Sequence, residues 1–326
     1  MELGGIHHVT AVTGDTSRNV AFYTQALGMR LVKKTVNQDD VSAYHLFYAD
    51  GTGSPGTDMT FFDWPQAGPT HPGVGTTTRT ALRVPSRAAL DAWATRMDGF
   101  GIPHSDITER NGRAMITFAD LEGQPLALVD DGGAPYDGTP WAEGPVSPEM
   151  AIRGFDAVTL AVRTLAPTAR VLTDVLGFRQ TGVSVAADGS GEVHVFSTGA
   201  GGPGMEVHLV ERPSLPYAHV GIGGVHHVAF RTPNETEHTA WRERIAAAGL
   251  RVTPEIDRFY FHSIYFREPG GVLFEIATDG PGFATDEPVE SLGASLALPP
   301  FLEGQRAAIE AGLRPITPID LAPTHR

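Results

Sequence analysis

The sequence predicts an α+β protein built from four βαβββ units in two tandem domains. Three observations carry this: the chain's length, an internal repeat, and short β-rich runs alternating with helical stretches. At 326 residues the chain exceeds what one hydrophobic core usually supports, so two cored domains of roughly 150 residues each are expected. The repeat is visible by eye. Gly5-Ile6-His7-His8-Val9-Thr10 matches Gly154-Phe155-Asp156-Ala157-Val158-Thr159, and His45-Leu46-Phe47 matches His194-Val195-Phe196, both at an offset of 149 (154 − 5). A one-residue deletion in a Gly/Pro turn, Gly53-Ser54-Pro55-Gly56 against Gly201-Gly202-Pro203-Gly204, shifts the register to 148 (201 − 53). Beyond it Arg83 matches Arg231, Trp93 matches Trp241, and Gly123 matches Gly271.

Each half divides again, giving four units. Their opening strands are expected at 6–13, 77–84, 155–162 and 225–231. Helices follow at 19–27, 88–97, 166–176 and 235–248, where apolar residues recur at helical spacing and a glycine ends the run. Alternating runs at 44–48, 59–62, 192–196 and 206–210 predict further strands bounded by Gly/Pro turns. The Gly-, Pro- and Asp-rich stretch 132–148 reads as the linker between halves. The domains therefore span 1–135 and 149–283, with a tail at 284–326 that holds a helix near 303–312. Trp93 and Trp241 are expected core anchors, His45 and His194 ordinary strand residues shared by both copies, and Asp130-Asp131 a solvated strand end.

Composition narrows the function classes. Lys and Arg number 24 against 38 Asp and Glu, a net charge of −14 that repels nucleic acid and anionic membranes. No apolar run reaches the roughly 18 residues of a membrane span, and the first residues lack a signal-peptide pattern, so a cytoplasmic location is expected. A homo-oligomer is the expected assembly. With no cysteine, disulfides and thiolate chemistry are excluded, and any metal must be held by His, Asp or Glu, which favours Fe(II) or Mn(II).

Chemistry should lie where one copy of a repeat carries reactive groups and its mate does not. His8 is matched by Ala157, His227 by Arg79, and Glu275 by Ala127. Two imidazoles and a carboxylate form a facial triad, which leaves three adjacent coordination positions for a bidentate substrate and dioxygen. The alternative is that the tandem pairs His7-His8 and His226-His227 are buried strand residues satisfied by backbone groups. Glu275 sits in the apolar run Val272-Leu273-Phe274-Glu275-Ile276-Ala277, where an ionised carboxylate is costly unless a metal or an arginine neutralises it.

At these residues the sequence resembles the vicinal oxygen chelate superfamily (glyoxalases, bleomycin-resistance proteins and extradiol dioxygenases), in particular its hydroquinone-cleaving dioxygenase branch. The resemblance runs through nearly the whole chain: residues 5–10, Tyr44-His45-Leu46-Phe47-Tyr48-Ala49-Asp50 with 53–57, Arg153-Gly154-Phe155, 258–275, and the tail segment 282–287 with Ser291-Leu292-Gly293. It implies the vicinal oxygen chelate fold, with Fe(II) bound by His8, His227 and Glu275, and Mn(II) as the alternative metal. It also implies supporting roles for His7, Thr10, His226, Arg258 and Tyr265, while His262 stands where this branch carries an acid. The implied partners are a small aromatic substrate, chlorinated or methylated hydroquinones included, and dioxygen. His226 or His7 could accept a phenolic proton, and Arg258 and Tyr265 could orient oxygen atoms. Competing readings are a catechol extradiol enzyme, which Ala157 argues against, and a metal-dependent glyoxalase-type isomerase or lyase. The latter wants a second carboxylate that Met59-Thr60-Phe61-Phe62 does not supply. A third is a binding protein that sequesters an aromatic without turnover.

Overall fold

The structure, a computed structural model, describes residues 1–110, 112–186, 189 and 191–321; the last five residues of the predicted tail fall outside that set. The first unit runs β1 (Ile6–Thr13), α1 (Thr16–Ala21), β2 (Arg30–Asn37), β3 (Asp40–Ala49) and β4 (Asp58–Asp63). The second runs β5 (Thr76–Val84), α2 (Arg87–Phe100), β6 (Thr108–Arg110), β7 (Arg113–Ala119) and β8 (Pro125–Asp130). The third comprises β9 (Phe155–Val162), α3 (Leu165–Arg170), β10 (Arg179–Val185), β11 (Glu192–Ser197) and β12 (Glu206–Glu211). The fourth comprises β13 (Val225–Thr232), α4 (Glu235–Ala247), β14 (Ile256–Asp257), β15 (Phe261–Arg267) and β16 (Leu273–Pro281). The βαβββ pattern thus occurs four times, and α5 (Arg306–Gly312) closes the tail where a helix is expected.

Local chemistry accounts for the helix boundaries. The Ser86 and Asn234 side chains accept from the backbone N–H of Ala89 and Glu237, capping α2 and α4, and Gly101 ends α2 in the left-handed region at φ 65°. The repeat extends to an irregularity. Both α1 and α3 run on into a wider turn, where Leu27 N–H donates to the Phe22 carbonyl and Leu176 N–H to that of Val171, each at 3.0 Å.

The strands form two curled eight-stranded sheets. One has the order β14-β15-β16-β13-β1-β4-β3-β2 and joins the first and fourth units; the other, β10-β11-β12-β9-β5-β8-β7-β6, joins the second and third. Each sheet therefore draws on both sequence halves, with an antiparallel seam at β1/β13 or β5/β9. Helices α2 and α4 cover β7/β8 and β15/β16 through the wholly buried Trp93 and Trp241, the core anchors expected from the sequence. The opposite face of the first sheet is left for chemistry.

The glycine motifs join the two sheets. Ile6 N–H donates to the Gly204 carbonyl at 2.8 Å, and Phe155 N–H to that of Gly56 at 3.0 Å, each strand start gripping the other sheet's turn. Gly5 and Gly154 have φ of 91° and 100°, and a Cβ on either would stand 2.4 Å from the Gly204 or Gly56 carbonyl oxygen. Asp131 departs from the solvated role expected of it. It is buried, accepts the Gly133 N–H at 2.9 Å, and faces Arg153 at 3.6 Å. Among the described residues no helix is long and apolar enough to cross a membrane.

Candidate metal centre

Strand register brings the three predicted ligands together. Across the β1/β13 seam His8 pairs with Ala229 and Thr10 with His227, and Ala229 in turn pairs with Glu275 on β16. Alternation along three adjacent strands then places all three side chains on one face. They are almost fully buried. His8 Nε2 lies 3.2 Å from His227 Nε2, and Glu275 Oε2 lies 3.1 Å from the first and 2.9 Å from the second. Ligand atoms at right angles about an ion, each at about 2.1 Å, stand about 3.0 Å apart.

The hydrogen bonds behind these atoms agree with a cation in front of them. His7 Nε2 is 3.2 Å from the Thr278 carbonyl, which only accepts, so this nitrogen carries the proton and His7 Nδ1 is an acceptor. His8 Nδ1, 2.9 Å away, is then the donor, and the lone pair of His8 Nε2 faces the cluster. His226 Nδ1 stands 2.8 Å from His227 Nδ1, and with His227 as the donor its Nε2 lone pair faces the cluster as well. Ser263 Oγ donates to Glu275 Oε1 at 2.5 Å, whereas Oε2 lacks a conventional hydrogen-bond donor. Burial pushes the Glu275 pKa up, but His8 and His227 outweigh it and hold the carboxyl well below its ordinary range. Burial, first of all, lowers His227. An anionic oxygen and two inward lone pairs in a dry site are the donor set of a divalent metal.

His8 and His227 line a cavity walled by Phe47, Phe62, Tyr260 and Phe261, with Asn37, Gln38, Asp39, Arg258 and Tyr265 among its other lining residues. Arg258 forms a two-pronged ion pair with Asp39 at 2.8 and 3.1 Å, and its guanidinium lies 5.6 Å from the Tyr265 ring centre. Burial, then the Glu275 charge, pushes the Tyr265 phenol up, so it stays protonated. The turn carrying Arg258 and Tyr260 includes Phe259 at φ 70°, a strained conformation for a bulky residue, fixed by its N–H bond to Asp257 at 2.7 Å.

The other predicted site residues divide into two groups. His7 and His226 touch the ligand imidazoles and do not line the cavity. Both are held low, chiefly by burial, His226 at about 3. Thr10 is buried, with its hydroxyl 2.7 Å from that of Thr60. His262 lies in a separate surface cleft, 3.4 Å from Glu235 and 3.6 Å from Asp257. The sequence reading overlooked Ser263, Asp39 and above all His45. His45 lines the cavity, and its likeness to His194 in the repeat had marked it as an ordinary strand residue. The signal was the alternation of His45 and Phe47 on one face of β3 opposite Phe62 and Thr60.

The second sheet carries the same register without the ligands. Ala157 pairs with Ala81, which pairs with Ala127, and Arg79 pairs with Thr159. In place of a metal cluster this face has Arg113 bonded to Asp156 and Glu206, with His208 3.0 Å from Glu206.

Comparison with known proteins agrees with this architecture. The family model for the Glyoxalase/Bleomycin resistance protein/Dioxygenase superfamily matches residues 5–131 and again 154–276. The chain belongs to that superfamily. Among superfamily relatives, ring-cleaving dioxygenase MhqA of Bacillus subtilis (strain 168) is 44% identical over 97% of this chain and 100% of its own. The chlorohydroquinone/hydroquinone 1,2-dioxygenase of Sphingobium indicum is 30% identical over 92% of each chain. A Bacillus subtilis crystal structure described as a dioxygenase superposes with a TM-score of 0.87 at 37% identity, covering 98% of this chain and 99% of the other. Glyoxalase I from Zea mays shares the fold, with a TM-score of 0.62 at 13% identity over 84% of this chain and 92% of the other.

Proposed function

We propose that this superfamily member is an Fe(II)-dependent dioxygenase that opens a para-hydroquinone-type ring, chlorinated or methylated forms included, beside one hydroxyl. The observation that carries the reading is the convergence of His8 Nε2, His227 Nε2 and Glu275 Oε2 within 3.2 Å of one another, with both histidines lining an aromatic-walled cavity. The names of the relatives support ring cleavage and, for one of them, hydroquinone as substrate. Fe(II) bound there supplies a Lewis acid that eases loss of the phenolic proton and a redox centre between ring and dioxygen.

The chain's own residues do the rest. Phe47, Phe62 and Phe261 enclose a flat ring and exclude water. His7 and His226 hold the ligand imidazoles in one tautomer and orientation. Arg258, anchored by Asp39, and the protonated Tyr265 present hydrogen-bond donors toward developing negative charge on oxygen. A glyoxalase-type isomerase would want a second carboxylate. Asp58 sits opposite His8 in register, yet it does not join the three-residue cluster, and burial raises its pKa toward the neutral form.

The test is anaerobic loading with Fe(II), then oxygen uptake with hydroquinone, its chlorinated and methylated forms, and catechol. About one dioxygen per ring, both atoms entering the product, and a preference for a hydroquinone over catechol are expected. An iron-loaded protein that takes up no oxygen with any of them but isomerises a thiol adduct of a 2-oxoaldehyde overturns the proposal.

A further inference from the structure

His45 stands on the cavity wall with one nitrogen tied down and the other available. Its ring is held between Phe47 and Phe62, with centroids 4.0 and 4.5 Å away. Its Nε2 is 2.9 Å from Thr60 Oγ, which is 2.7 Å from Thr10 Oγ, and both threonines are wholly buried. Among the described residues Nδ1 has no hydrogen-bond partner. With Phe47 and Phe62 against the ring and Nε2 engaged on the sheet, Nδ1 is the atom His45 has left for a hydrogen bond at the cavity it lines. A ligand hydroxyl set against this nitrogen of the half-buried His45 gains a hydrogen bond there.

We propose that His45 is the residue that recognises the far hydroxyl of a para-diol whose near oxygen sits at His8, His227 and Glu275. The inference rests on the reading of the site given above and names the feature by which it selects its substrate. The Thr10–Thr60 hydroxyl pair accommodates the tautomer that this recognition needs. When Nε2–H donates to Thr60 Oγ and Thr60 donates to Thr10 Oγ, Nδ1 is left as an acceptor. Burial, the largest influence on it, keeps the imidazole neutral and able to accept. The far O–H donates a hydrogen bond to Nδ1 and keeps its proton, since burial disfavours the imidazolium. Catechol has no oxygen at that end of the ring, so its binding leaves Nδ1 unmatched. A site built around a hydroxyl discriminates in this way against analogues that lack it.

The test is binding without turnover. Fe(II)-loaded protein is titrated anaerobically with hydroquinone and with phenol, which lacks only the far hydroxyl. Wild-type protein should bind hydroquinone at least tenfold more tightly than phenol. In His45→Leu the ratio should fall below twofold, and His45→Gln, which keeps a polar tip and the contact with Thr60, should restore part of it. A purely structural role for His45 weakens both ligands together and keeps the ratio, an outcome that overturns the inference while leaving hydroquinone cleavage standing. A wild-type protein that binds neither phenol overturns the dioxygenase reading and this inference with it.

Discussion

Each ligand imidazole in this protein is oriented by the histidine that precedes it in sequence. In an extended strand successive side chains normally point to opposite faces, so neighbours should not touch. The β1/β13 pairing has register shifts between Ile6 and His8 and between Thr10 and Ala11, and these irregularities go with the close His7–His8 contact. The Thr278 carbonyl then fixes His7, and His7 fixes His8. Removing a ligand should therefore differ in kind from removing its support. We expect His8→Ala, His227→Ala and Glu275→Gln each to fold, by circular dichroism, yet retain less than about a tenth of the wild-type iron. His7→Phe should keep the ligand set and weaken metal affinity by roughly 10–100-fold. Metal analysis after equilibrium dialysis decides this, and full occupancy in any two of the three ligand variants would sink the assignment.

At the scale of strands and sheets, the two copies solve one packing problem in different ways. The first sheet places a carboxylate between two imidazoles, whereas the second places Arg113 between Asp156 and Glu206. Asp156 occupies the position of His7 in the repeat. Burial, offset in part by Arg113, raises its carboxyl from 3.8 to about 6. A raised carboxyl pKa means that the folded state holds the proton more tightly than the unfolded chain does. Stability should thus fall as pH rises from about 4 to 6 and level off above that window. Urea unfolding across the window should show that slope in the wild type and a flatter profile in Asp156→Asn; equal slopes would mean that Asp156 does not titrate there. Much of this architecture was legible in the residues themselves. The strands Ile6–Thr13 and Phe155–Val162 coincide with the expected spans, because alternation and duplication mark the same residues. The filled and empty positions of the repeat also mark the three residues that the sheet brings together. His45 and Ser263 were not legible, because their importance comes from a neighbouring strand's register: Thr60 for one, Glu275 for the other. Asp131 was misjudged for a related reason, since the turn that buries it is closed by Arg153 from beyond the linker.

Across the whole molecule, the tail after β16 returns to the first unit and braces the wall of the cavity. Phe283 packs against Phe47 and Tyr260, both of which line that cavity, with ring centroids 5.0 and 5.5 Å away. Beneath them Lys33 of β2 is fully buried, paired with Asp286 at 2.7 Å and with Glu287, and its ammonium lies 4.8 Å from the Tyr260 ring centre. Tyr260 in turn donates to Asp286 at 2.9 Å. A buried lysine demands a partner, and here both acids come from the tail, so one charge ties residues some 250 positions apart in sequence (286 − 33 = 253). Lys33→Met keeps most of the side-chain volume but leaves two carboxylates facing a dry contact. Because those acids retain some solvent exposure, the expected loss is about 2–4 kcal/mol, at or below the usual cost of breaking a buried pair. The triple variant Lys33→Met, Asp286→Asn, Glu287→Gln should recover part of that stability, since no unpaired charge remains. If the clamp also shapes the cavity, Lys33→Met should weaken hydroquinone binding while iron content stays at the wild-type level, because the ligands lie on β1, β13 and β16 rather than on the tail. Calorimetric unfolding and anaerobic titration of the iron-loaded proteins measure both effects. A Lys33→Met protein as stable as wild type shows that the tail is held by its apolar contacts alone.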